Sequence, residues 1–138
     1  MRRQYNFWPG DQGLDAWDVH RLIALTRDMP ARDVSLSDIA EIDSPYWYGF
    51  GETPTVRSIA EHVTLVNEAD LSFPIILSAS GRVMDGMHRI VKALVNGHLT
   101  ISAVQFDVDP EPDYQNCDPD TLPYDDIDLL TTTSPEAS

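Results

Sequence analysis

The residues best suited to chemistry in this chain share one short stretch, Asp85-Gly86-Met87-His88-Arg89, with Lys92 just beyond it. A guanidinium, an imidazole and an ammonium so close together can serve an anion. Arg89 can fork two oxygens and His88 can donate one more bond. Gly86 would let a phosphate come close to the backbone. The apolar periodicity that follows predicts a helix, whose first turn offers unpaired N–H groups and a partial positive charge. Asp85 suits a metal contact or a base beside a transferred phosphoryl group. It would equally suit a plain helix cap, and Lys92 an ordinary surface position.

These residues need elements to hold them. "FPIILSA" at 73–79 predicts a buried strand, "ASG" a turn, and "RVMD" a second short strand. Residues 87–96 predict a helix with Met87, Ile90, Val91, Leu94 and Val95 inward, closed by Gly97. "TISAVQFDV" at 100–108 predicts another strand. Upstream, residues 54–69 predict a helix capped by Thr53, with Pro54 in its first turn. Its inner stripe is Val56, Ile59, Ala60, Val63 and Val66. Residues 15–29 predict a helix capped by Asp15, with Val19, Leu22, Ile23 and Thr26 inward. "DVSL" at 33–36 reads as a short strand and "SDIAEI" as one helical turn. "DSPYWYGFGETP" at 43–54 reads as an ordered loop.

Composition sets the limits. The chain has 138 residues and is 42% hydrophobic, enough for a core. It has one cysteine, Cys117, and so no internal disulfide, which fits a reducing cytoplasm. One cysteine and four histidines give no metal-ligand spacing. No apolar run is long enough to span a bilayer, and "MRRQYNFWPGDQG" has no signal-peptide core. The net charge is -14, unevenly spread: residues 107–138 carry ten acids and no Lys or Arg. Such a surface repels nucleic-acid backbones. A local basic pocket can still hold a small anion. The Pro-rich segment 109–138 predicts an extended acidic tail up to about Tyr124, suited to a basic protein partner, with 131–138 disordered.

The order of elements over residues 33–108 resembles the ParB/sulfiredoxin superfamily. The resemblance is carried by residues 71–106: Pro74-Ile75-Ile76, the turn at Gly81, Asp85-Gly86-x-His88-Arg89, then Ala93, Gly97 and Ile101. It implies an α/β (α+β) fold, a small domain over 1–108 with a mixed sheet and three main helices. It also implies a nucleotide (ATP, ADP or CTP), with Mg²⁺, whose phosphates lie at the N-terminus of the helix after the motif. Met87 stands where a sulfiredoxin has its cysteine, so peroxiredoxin repair is not implied. The Asp-Gly-x-His-Arg form looks most like the free-serine kinase branch, an ATP/ADP-dependent phosphotransferase.

The resulting candidates are Asp85, His88 and Glu52 for catalysis, with Glu41 and Asp43 as further carboxylate bases. Gly86, Met87, His88, Arg89, Lys92 and Arg57 are candidates for nucleotide contact, and Asp85 for metal. Arg57 and Glu61 lie at i and i+4 and read either as an exposed pair or, with His62, as a cleft lining. The aromatics of "PYWYGF" would close a core or make a base-stacking shelf. The leading expectation is a nucleotide- or phosphate-binding phosphotransferase or hydrolase. The alternatives are a non-catalytic binding module using the acidic tail, and a ParB-like nucleic-acid-associated protein. Replacing Arg89 by Ala is expected, from sequence, to abolish ligand binding and leave the thermal midpoint nearly unchanged.

Overall fold

A strand that the sequence disguises as a helix start organises the first part of the chain. The computed structural model describes residues 4–10, 13–49 and 51–124. Tyr5–Pro9 (β1) and Leu14–Asp18 (β2) form an antiparallel hairpin, with Phe7 opposite Ala16. The expected helix over 15–29 is therefore Val19–Thr26 only (α1). Its cap is Asp18, not Asp15: the Asp18 carboxylate accepts from His20 N at 2.9 Å. Pairing with β1 overrides local propensity at Asp15-Ala16-Trp17. Val19, Leu22 and Thr26 are buried as the periodicity predicts.

The chain divides into two compact units. In the first, residues 4–10 and 13–29 pack with residues 108–124. Tyr114–Cys117 pairs with β2, so part of the expected extended tail is a strand, closing the sheet order β1-β2-Tyr114–Cys117. Two acidic-segment contacts tie it down: Trp17 Nε1 donates to Pro110 O at 2.8 Å, and Arg21 pairs with Asp113 at 3.2 Å. The expectation of disorder for 131–138 lies outside the described residues.

The second unit is Pro30–Asp107. Its strands are Arg32–Ser35 (β3), Ile75–Leu77 (β4), Val83–Asp85 (β5) and Thr100–Gln105 (β6), with Tyr114–Cys117 of the first unit then β7. Their order is β3-β6-β4-β5. Only β4 and β6 run parallel, so the sheet is mixed. Its helices are Val56–Glu68 (α2) and Met87–Val95 (α3), the latter in the crossover between β4 and β6. The described residues thus hold three α-helices and two sheets, an α+β fold. None of the helices is long and apolar enough to cross a membrane. Ile75, Leu77, Val83, Ile90, Ala93 and Ala103 form the centre of this unit's core.

Three helix details differ from expectation. α2 begins at Val56 behind Thr55, whose hydroxyl accepts from Ser58 N at 3.1 Å, rather than behind Thr53. Its apolar stripe faces out: Val56 is 88% exposed, Ile59 50% and Val63 51%. The body-facing side is the polar-flanked row Ser58, His62 and Val66, each half-buried. In α3, Ala93 is buried, whereas Leu94 and Val95 are exposed. The turn after α3 is as expected, with Gly97 N bonded to Leu94 O and His98 N to Ala93 O.

Candidate functional site

β5 delivers Asp85 to the start of α3, and the backbone there turns through Gly86 with φ +111°. Gly86, rather than Asp85, is the helix cap. A side chain at Gly86 would meet Ile75: an ideal Cβ lies 2.6 Å from Ile75 Cγ2. The close approach that requires glycine here is thus made by β4, within the protein itself.

Arg89 points into the protein. Its Nη2 donates to Asp85 Oδ2 at 2.7 Å, and both side chains are almost wholly buried. Its Nη1 donates to Phe73 O at 3.0 Å and Pro74 O at 2.7 Å. These carbonyls belong to the segment entering β4, where no ladder has begun. A guanidinium is suited to bind several such acceptors and a carboxylate at once. Lys92 is committed similarly: Nζ donates to Ala69 O at 2.6 Å and Asn67 O at 3.2 Å, at the C-terminal end of α2. A cation there meets unpaired carbonyls and the negative end of the helix dipole. Two of the three cations grouped by the sequence therefore hold the frame.

His88 has a different setting. Its Nε2 lies 2.9 Å from Nδ1 of His62, which comes from the body-facing row of α2. Trp47, in the 3₁₀ turn Tyr46–Tyr48, stacks on both rings. Ring centroids are 3.8 Å apart for His62 and 4.7 Å for His88, at 16° and 22°. Tyr48 meets His62 edge-on, and its hydroxyl is 2.8 Å from Ser58 Oγ. A hydrogen bond between imidazoles needs one N–H and one lone pair, so the neutral pair shares a single proton. One added proton makes the bond charge-assisted; a second puts two cations face to face. Burial holds the His62 pKa below the ordinary imidazole value, opposed by the Glu61 carboxylate.

The other candidates are not brought to this pair. Met87 is a core residue, 6% exposed. Arg57 lies on the outward side of α2 with Glu61 and Thr64. Glu52 is exposed in the segment ahead of α2, and Asp43 is exposed in the 3₁₀ turn Ala40–Asp43. Glu41 is half-buried, and its carboxylate accepts from Val83 N. With Tyr46, whose hydroxyl donates to Val83 O at 3.4 Å, it covers the open edge of β5. Burial, then the Glu41 and Asp85 carboxylates, push the Tyr46 phenol far above its ordinary pKa. Asp85 does not fit a Mg²⁺ ligand, because a guanidinium occupies its carboxylate in a buried pair. Among the described residues no group of three or more His, Cys, Asp or Glu side chains is placed to hold a metal.

In sequence, His62 belongs to one of two readings of the Arg57–Glu61 face, the cleft lining; nothing there pairs it with His88 or makes Trp47 their common cover. The only local signal for His62 was its place in the row Ser58-His62-Val66. Compared with known proteins, the chain matches no family model, no curated protein and no solved structure.

Proposed function

We propose that the chain binds a small phosphorylated ligand, a nucleotide first among these, at the His62–His88 pair beside the first turn of α3. The observation that carries this is the 2.9 Å approach of two imidazole nitrogens from different helices under one indole. A phosphate offers acceptors to both imidazoles and draws a proton onto the pair. Trp47 and Tyr48 supply aromatic surface beside it. The resemblance of residues 71–106 to the ParB/sulfiredoxin superfamily points to the same end of α3. In phosphoryl transfer or hydrolysis, one imidazole would take the proton of the attacking group while the other keeps its partner oriented. Arg89 and Asp85 would position the loop from beneath.

Isothermal titration with ATP, ADP and CTP in Mg²⁺ tests this. At least one should bind saturably, and His88→Ala and His62→Ala should each weaken it by roughly tenfold or more, the scale of a lost charge-assisted bond. A folded protein that binds none of the three contradicts the proposal.

A second reading, a non-catalytic binding module, is favoured by the outward stripe of α2. Val56, Ile59 and Val63 are exposed at the 3-4 spacing of a coiled-coil seam. Sedimentation over a wide concentration range should then show self-association that Ile59→Glu weakens. A monomer at every concentration counts against this reading.

A further inference from the structure

A cavity of about 190 Å³ lies between residues 41–48 and one face of α3. Met87, Val91 and Leu94 line it from α3, with Leu94 42% exposed, and Pro45, Tyr46 and Trp47 line it from the facing turn. A cavity of about 150 Å³ lined by apolar side chains is enough to hold benzene. This one has room for a somewhat larger ring.

Its walls are fixed before any ligand arrives. The Tyr46 hydroxyl is tied to Val83 O, the Tyr48 hydroxyl to Ser58, and Trp47 is stacked on two imidazoles. Preformed apolar pockets with a few placed polar groups are the usual form of small-ligand sites, since little ordering cost remains. The Met87 thioether adds a favourable contact for an aromatic ring.

The polar groups in the lining decide the ligand class. Glu41 brings a carboxylate, which can only accept while ionised. Ser44 brings a hydroxyl whose proton is spent on Glu41 O at 2.7 Å, leaving its oxygen to accept. Both therefore select a donor. Neither suits an anion, so this cavity is distinct in chemistry from the imidazole pair. We infer that it binds a planar aromatic ring of about indole size that carries an N–H donor, with the ring against Met87 and Val91 and the N–H on the Glu41–Ser44 side.

Indole is the probe, titrated calorimetrically into the full chain, with 1-methylindole as the donor-free comparison. Indole should bind saturably at one site. The methylated ring should bind roughly tenfold more weakly, as one lost hydrogen bond in an apolar site would cause. Leu94→Trp, at an exposed position over the opening, should abolish binding with the thermal midpoint little changed. Val91→Phe fills the same space from the helix side and serves if the first variant fails to fold. No saturable heat, equal affinity for both probes, or undiminished binding in a folded filling variant would overturn the inference. None of these outcomes depends on whether the imidazole pair binds phosphate.

Discussion

Arg89→Ala is expected to destabilise the protein by about 3–5 kcal/mol, the usual cost of removing one partner from a buried ion pair. The substitution deletes every bond that Nη1 and Nη2 make, to Asp85, Phe73 and Pro74. It also leaves the Asp85 carboxylate buried, with side-chain exposure of only 4%, and without its cation. Against a typical total of about 5–15 kcal/mol this is a large fraction. For a unit of this size it corresponds to a fall in thermal midpoint on the order of 10–30 °C, readable by circular dichroism. The sequence alone led to the opposite expectation, lost binding with an unchanged midpoint. Burial reverses it, because a guanidinium inside the protein is part of the frame first. Replacing both partners, Asp85→Ala with Arg89→Met, should cost less than the sum of the single changes. A midpoint in Arg89→Ala within a few degrees of the parent would mean that the pair is not buried in solution.

Gly86→Ala is the second large effect, expected at about 2–5 kcal/mol. A non-glycine residue at φ +111° costs about 1–2 kcal/mol of backbone strain. The new methyl would also press on Ile75, at 2.6 Å from Cγ2 and 2.9 Å from Cβ, and crowding of this kind costs about 1–3 kcal/mol. Ile75 is fully buried in the central strand β4, so it has little room to move. Gly81→Ala separates the two causes. Gly81 also has positive φ, +88°, but a Cβ there meets nothing within 4 Å. That variant should lose only the backbone part, about 1 kcal/mol. Equal losses at the two positions, measured by urea denaturation, would show that Ile75 does not crowd Gly86.

The second unit was legible from sequence because its signals are local. Pro74, the turn at Gly81, and the Gly97 stop punctuate strand, strand and helix within a few residues of each boundary. The first unit was not, because its strands are defined by partners far away. β2 looks like a helix start, with Asp15 as its cap and Asp18 in its first turn, until β1 pairs with it. β7 has no alternation and exists through its pairing with β2 about a hundred residues earlier. The α2 stripe illustrates a different limit: periodicity shows that one face is apolar, not that it is covered.

The candidate site divides the same way. Its neighbourhood, Asp85 to Lys92, could be read from residue types. What each cation binds could not. Arg89 and Lys92 are claimed by carbonyls at 73–74 and 67–69, which carry no sequence signal at all. His62 lies 26 positions before His88, and only the packing of α2 against α3 joins them.

The proposal that the imidazole pair is the ligand contact is tested most directly by the histidine ¹⁵N signals, followed against pH with and without saturating nucleotide. In the free protein His62 should titrate below the ordinary histidine value of about 6.5, as its burial requires. The His88 signals should shift as His62 titrates, because the two rings are hydrogen-bonded to each other. Bound phosphate should raise the transition and shift both rings together. Two independent titrations, left unmoved by a nucleotide that calorimetry shows to be bound, would contradict it.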